Sequence, residues 1–416
     1  MEQKHVLPNG VRVLLEEIPH VRSASVGFWM DTGSKNETAE NNGISHFIEH
    51  MLFKGTRTRS PLDIAQSLED KGGSLNAFTD KENTCFYARV LDDQVPLAID
   101  VLSDMLLDSV FDPSELKRER RVVLEEIKMY EDTPDELVQD MFSLAFWGDH
   151  PLARPIAGTR GSMRGADRDQ VLTYMDRFYT PDRLVVSVAG NIHPEAVLDQ
   201  LASTVGRLER PPTRLDVAPP IANSAVKVKY KDIEQVHVCL GTEGVSIANP
   251  DRYAVTLLDA ILGGGMSSRL FQEIREKRGM AYSISSYEVM YEDAGVFGIY
   301  AGCSPKQLDE VLRLSLAELD KAKGGDIAES ELMRAKEQLK GGMLLSMESP
   351  RNRMSRMARN ELCFGRLVPP EEVLAEIEKV TLKDLERVAR QLFDPRTLTA
   401  TVVGPVRRIK LPEFAA

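Results

Sequence analysis

The chain has 416 residues, 42% of them hydrophobic, and a formal charge of −12. That length holds two domains with substantial cores, and the acidic balance disfavours nucleic acid or an anionic membrane as partner. Four cysteines, Cys85, Cys239, Cys303 and Cys363, lie far apart without a Cys-x-x-Cys pair, which argues against a thiolate zinc site or a disulfide scaffold and for free buried thiols in a reducing compartment.

Met1 to His5 leads straight into a strand-like segment, with no charged-then-apolar leader, and no 18-residue apolar run follows anywhere. A soluble cytoplasmic protein is therefore expected. Pro8-Asn9-Gly10 predicts a hairpin-like turn before a strand at residues 11–15. Next, Ile44, Phe47, Ile48, Met51 and Leu52 repeat at the spacing of a buried helical stripe, which places His46, Glu49, His50 and Phe53 on the opposite side. The chain has only seven histidines, and two of them here are one helical turn apart. Zinc takes imidazole nitrogen at about 2 Å and needs three or four donors, so this helix supplies half a site and a further ligand must come from elsewhere. Glu49 is placed to act as general base toward water on such a metal. The competing reading is a solvated polar face with Glu49 paired to a cationic histidine.

A helix is predicted over residues 97–107, and another begins at Asp112, a plausible N-cap, with Pro113 at the first helical position and Glu115 at the capping-box place. Residues 116–129 contain no breaker. Glu119 and Glu126 are two turns apart and share a face, whereas Glu125 points roughly 100° away. Read by itself, Glu119 belongs to an exposed salt-bridged surface.

An internal duplication organises the chain. Ser114-Glu115-Leu116-Lys117-Arg118 reappears as Ser330-Glu331-Leu332-Met333-Arg334, and Pro181-Asp182-Arg183-Leu184 is echoed by Pro395-Arg396-Thr397-Leu398 at nearly the same offset. The proline-rich stretch at residues 210–222 reads as an extended linker. It divides an N-terminal domain, residues 1–209, from a homologous C-terminal domain, residues 223–416. With strands at 11–15 and 184–189 and helices at 97–107 and 308–321, each half is expected to be α+β, with helices packed on a largely antiparallel sheet. In the second half Ala335 and Gly342 stand where Glu119 and Glu126 stand in the first, and no histidine follows His237. A second metal site of this type is excluded there. Gly263-Gly264-Gly265 precedes a predicted helix, but no phosphate-anchoring Gly-Lys-Ser/Thr or Rossmann spacing follows, which leaves a glycine-loop nucleotide-binding protein as a weak alternative.

The sequence resembles the pitrilysin family of inverted-motif zinc peptidases, which includes insulin-degrading enzyme and the mitochondrial processing peptidase, and looks like a two-domain bacterial-type member. His46-Phe47-Ile48-Glu49-His50 matches the His-x-x-Glu-His motif, Gly43-Ile44-Ser45 and Leu52-Phe53-Lys54-Gly55-Thr56 look like its flanks, and Glu126 follows His50 by 76 positions. The match implies His46, His50 and Glu126 as ligands of one Zn2+ per chain, Glu49 as catalytic base and Glu119 as an accessory acid. It further implies that Arg275 and Tyr282, beyond the glycine-rich turn, reach the substrate, the tyrosine hydroxyl stabilising an oxyanion. Residues 72–79 look like the family's edge strand, on which a peptide lies by strand addition beside Asn76 and Ala77. The implied activity is a zinc metalloendopeptidase that hydrolyses unstructured peptides inside an enclosed chamber, with basic peptides favoured if the acidic groups face it. The implied assembly is a homodimer, since a two-domain chain can reproduce the larger members' four domains only by pairing. A non-catalytic assembly or processing-complex subunit of the same fold would be expected to have lost the motif, which is retained here.

Overall fold

A computed structural model describes residues 2–213 and 217–414. Its eleven strands are β1 (Glu2–Val6), β2 (Arg12–Glu17), β3 (Ser23–Met30), β4 (Ser74–Thr79), β5 (Thr84–Leu91), β6 (Leu184–Gly190), β7 (Val226–Tyr230), β8 (Val236–Glu243), β9 (Ala281–Met290), β10 (Gly295–Cys303) and β11 (Thr399–Gly404). They form two sheets, ordered β1-β2-β6-β3-β5-β4 and β7-β11-β8-β10-β9. Only β2–β6 and β7–β11 pair in parallel. The turn after β1 closes as Pro8-Asn9-Gly10 predicts, with the Leu7 amide donating to the Val11 carbonyl (2.8 Å).

The α+β expectation and the duplication both hold. From β2 onward the first sheet repeats in the second, since β2-β6-β3-β5-β4 has the same order and parallel pair as β7-β11-β8-β10-β9. The predicted helices are present as Val95–Asp108, Pro113–Asp132 and Leu308–Lys323. Asp112 caps the second of these by accepting the Ser114 amide (2.8 Å), but Glu115 bonds Arg118 and does not close a capping box. Within the linker, Arg214, Leu215 and Asp216 lie outside the described residues, and the remaining residues at 210–222 form no helix or strand.

The compact units depart from a simple division at the linker. One comprises Met1–Lys128, Arg154–Val217 and Leu345–Val368; the other comprises Met129–Ala153, Ala218–Leu344 and Pro369–Ala416. Each half of the sequence therefore lends one helix to the other unit. In the first unit, helix Pro350–Phe364 lays Met354, Met357 and Ala358 over Leu14, Trp29, Tyr87 and Val185. In the second, helix Pro134–Trp147 lays Val138, Phe142 and Phe146 over Cys239, Val296 and Val403. Both approaches need a glycine in the strand beneath. A Cβ on Gly27 of β3 would stand 2.4 Å from the Met354 sulfur, and one on Gly241 of β8 would stand 2.5 Å from the Phe142 ring. These glycines are separated by 214 positions, the offset of the second sequence echo.

Cys85, Cys239 and Cys303 are buried free thiols, as expected, but Cys363 is exposed because it sits on the outer side of helix Pro350–Phe364. Among the described residues, no helix is long and apolar enough to cross a membrane.

Residues 1–213 produced alone would lack the covering helix, and exposing Leu14, Trp29, Tyr87 and Val185, which Met354, Met357 and Ala358 cover, forfeits roughly 4–6 kcal/mol, a large share of the stability of a typical domain. The fragment is expected to be insoluble or to lack near-UV circular dichroism, and to recover a cooperative melt when co-expressed with residues 214–416. A cooperatively melting 1–213 fragment would show that the exchanged helix is dispensable.

Candidate metal centre

The first unit brings the histidine helix, Ile44–Leu52, against the glutamate helix, Pro113–Asp132. Ile44, Phe47, Ile48, Met51 and Leu52 are all buried, so the rotation of the first helix is set by packing. Its opposite side then carries His46, Glu49 and His50. On the glutamate helix, Glu126 faces this group, while Glu125 turns outward to pair with Lys128 and is 70% exposed. The register expected from the spacing is correct.

The Nε2 atoms of His46 and His50 are 3.2 Å apart. Glu126 places Oε1 3.7 Å from His46 Nε2 and Oε2 3.6 Å from His50 Nε2. Ligands at about 2.0–2.1 Å on a tetrahedral ion are separated by about 3.3 Å, so this trio has the spacing of a zinc donor set. Among the described residues it is the one group of three or more His, Cys, Asp or Glu side chains able to hold a metal ion. Charge agrees with geometry. With neutral imidazoles, Glu49, Glu119, Glu126 and Lys54 leave two net negative charges, which a divalent cation neutralises.

Glu119 is 5% exposed, not the surface acid that its sequence neighbourhood predicts. One of its oxygens lies 2.8 Å from His50 Nδ1 and the other 2.8 Å from Lys54 Nζ. A carboxylate only accepts, so Nδ1 carries the proton and the Nε2 lone pair is free to face a metal. Burial drives the Glu119 carboxyl upward, but the His50 and Lys54 hydrogen bonds outweigh it and hold Glu119 below the usual range. His50 responds in kind: burial opposes its charge, while the Glu119 bond and the charges of Glu119, Glu126 and Glu49 raise its pKa. His46 differs. Burial, and then the neighbouring His50 charge, push it down to about 4, so it is a neutral donor at pH 7. Its Nδ1 is buried without a partner among the described residues, so its ring is fixed by packing.

Glu49 is close to the trio without belonging to it. Its Oε2 accepts from Thr79 Oγ1 at 2.6 Å, and burial raises its pKa against that bond and the His50 charge. Thr79 ends β4, which is an edge of the first sheet. Asn76 and Ala77 lie on this strand. Asn76 is exposed, and its Oδ1 accepts the Ala77 amide (2.8 Å).

Arg275 and Tyr282 lie in the second unit and stand beside each other. The Arg275 guanidinium sits 4.7 Å from the Phe271 ring and 5.2 Å from the Tyr282 ring, and Tyr282 is 78% exposed. Arg275 belongs to a π-helical turn, Phe271–Glu276. The glycine-rich segment before it serves close packing: a Cβ on Gly263 would fall 2.0 Å from the Ser286 amide nitrogen of β9.

Three contributors escape sequence reasoning. Lys54 follows His50 by four positions just past the helix, a spacing that marks it only once Glu119 is known to be buried between them. Thr79 is joined to Glu49 solely by sheet formation. Glu37 is buried and accepts the amides of Gly43 (2.7 Å) and Ser45 (2.8 Å) at the start of the histidine helix.

Residues 12–160 match the family profile for insulinase (peptidase family M16), and residues 165–339 match that for the peptidase M16 inactive domain. An uncharacterized zinc protease of Bacillus subtilis (strain 168), YmxG, is 44% identical over 393 residues, covering 94% of this chain and 96% of its own. The chain belongs to peptidase family M16. Another relative, an uncharacterized zinc protease of Streptomyces coelicolor, is 41% identical over 418 residues, with 97% of this chain and 90% of its own covered. Among solved structures, a peptidase M16 inactive domain from Pseudomonas fluorescens superposes with a TM-score of 0.92 at 20% identity, over 99% of this chain and 100% of that one. A Helicobacter pylori protease gives 0.90 at 22%, over 97% and 99%. These two support the fold. The family and the zinc-protease names of the relatives support a zinc metallopeptidase.

His50→Ala and Glu126→Gln are each expected to lose most bound zinc, because each removes a donor, whereas Glu125→Gln should retain it. Lys54→Met should weaken zinc binding about tenfold by loosening Glu119. Metal content by mass spectrometry and chelator competition read these outcomes, and full zinc in Glu126→Gln would refute the ligand assignment.

Proposed function

We propose that the protein is a zinc-dependent metalloendopeptidase, holding one zinc per chain, that hydrolyses flexible peptides laid along β4. The observation that carries this reading is Glu49, a carboxylate beside the donor trio but outside it, tied through Thr79 to a free sheet edge. Base and peptide lane are thereby joined by one hydrogen bond.

His46, His50 and Glu126 would hold the zinc, which would supply Lewis acidity for water and for the peptide carbonyl. Glu119 fixes the His50 ring, and Lys54 fixes Glu119. Glu49, its pKa raised by burial, accepts the proton of the attacking water and returns it to the leaving nitrogen. Outward-facing peptide groups of β4 align an extended segment by strand addition, with Asn76 and Ala77 in contact with its backbone, so recognition tolerates many sequences. A folded protein cannot offer such a segment without unfolding.

Glu49→Gln should keep its zinc and lose at least about 10²-fold in rate. Flexible peptides should be cut and a stable folded domain spared; prompt degradation of the folded control would refute an enclosed chamber. If acidic residues line that chamber, basic peptides are cut faster than acidic ones of equal length, and the difference shrinks with salt. Equal rates at low and high salt would remove the charge preference.

The reading extends to assembly. The second unit carries no metal group among the described residues, yet presents Arg275 against Tyr282. We take the working form to be a homodimer in which each zinc site is served by Arg275 and Tyr282 of the partner subunit. Mixing Glu49→Gln chains with Arg275→Ala chains under subunit exchange should then restore activity, since one mixed site has both parts intact. No recovery in verified mixed dimers would place the site within one chain.

A further inference from the structure

We infer that Glu37 is a positioning residue for the metal centre: its buried carboxylate fixes the first turn of the histidine helix and supplies the negative charge which that helix end needs beside a dication. This inference rests on the zinc reading above.

The first amides of a helix have no intrahelical partner. Here the N-cap is Gly43, in the left-handed region with φ +94°, and it has no side chain with which to cap. A Cβ there would come 2.7 Å from the Ala157 carbonyl oxygen, so Ser, Asp or Asn cannot take this place. Glu37 supplies the missing acceptor from outside the helix. Its Oε2 accepts the Gly43 amide (2.7 Å) and Asn42 Nδ2 (2.9 Å), and its Oε1 accepts the Ser45 amide (2.8 Å). The surroundings hold Glu37 in turn: Arg154 Nη1 donates to its carbonyl (2.6 Å), and Asn42 Nδ2 also reaches the Pro155 carbonyl (3.0 Å).

Two consequences reach the metal. Ser45 is the residue before His46, so the amide that Glu37 grips adjoins the first ligand. A donor set with separations of 3.2, 3.6 and 3.7 Å has to be held within about 0.5 Å to stay productive. In addition, a helix N-terminus carries about half a positive charge, which opposes a nearby cation. The Glu37 anion offsets that potential. Burial pushes its pKa up to about 6 against the bonds from Gly43, Ser45 and Asn42, which leaves it ionised at pH 7.5.

Glu37→Gln keeps the shape, but its amide nitrogen must face an N–H that the carboxylate accepted, and the charge is gone. At pH 7.5 the zinc Kd of this variant, measured by chelator competition, should rise about tenfold, the usual scale for groups supporting a ligand. Its kcat on a flexible peptide should fall with KM within about twofold. Glu361→Gln is the control. Glu361 is equally buried in the same unit, where it pairs with Lys4 (2.7 Å), and its loss should lower the melting temperature of metal-free protein without moving zinc Kd. Glu37→Gln decides the test, so unfolding of Glu37→Ala has no bearing on it. A lowered melting temperature with wild-type zinc Kd and kcat in Glu37→Gln overturns the positioning role alone. Wild-type protein whose zinc binding does not depend on His46 and His50 overturns the metal reading and this inference with it.

Discussion

Everything at the metal centre depends on the rotation of one short helix. Nine residues are too few for a helix to persist in water, so Ile44–Leu52 owes its existence and its orientation to tertiary contacts. Five buried apolar side chains fix which way it faces, and Glu37 and the turn at Gly43 fix where it starts. Once these are set, the i, i+4 spacing sends both Nε2 atoms to one point, where Glu126 meets them.

The same point concentrates negative charge that remains unbalanced when both imidazoles are neutral, as metal donors must be. Lys54 offsets one of the three carboxylates Glu49, Glu119 and Glu126, and His46 is too deeply buried to stay protonated near pH 7. A half-buried, under-neutralised acidic cluster is costly unless a cation completes it. The arrangement is thus suited to a divalent ion in charge as well as in spacing. The carboxylate beside His50 orients that ring, while the one bound to Thr79 stands outside the donor trio.

Among the described residues, the duplicated fold holds the donor trio in one copy only. Both sheets share an order, a parallel pair and a strand glycine that admits an exchanged helix. The second copy retains that architecture with Ala335 and Gly342 where the acidic residues would stand, in agreement with its match to an inactive M16 domain. Exchange of one helix in each direction makes the two halves of the sequence interdependent for folding, so the copy without a donor set still contributes to the stability of the copy that has one.

Sequence alone determined the periodic and the chemical. The apolar stripe at Ile44 to Leu52, the scarcity of histidine, the shared face of Glu119 and Glu126 and the offset duplication are all local patterns, and each reappears in the structure at the expected place. What only the tertiary structure decided are the contacts that join segments distant in sequence. Thr79 on Glu49 needs the sheet to form, and Lys54 on Glu119 needs two helices to meet. Glu37 on the Gly43 and Ser45 amides lies six and eight positions from its partners, beyond the reach of a capping motif read along the chain. The domain division shows the same limit: a proline-rich linker is visible in composition, but which sheet a helix covers is settled by where its apolar face finds a matching surface, and here that surface belongs to the other half.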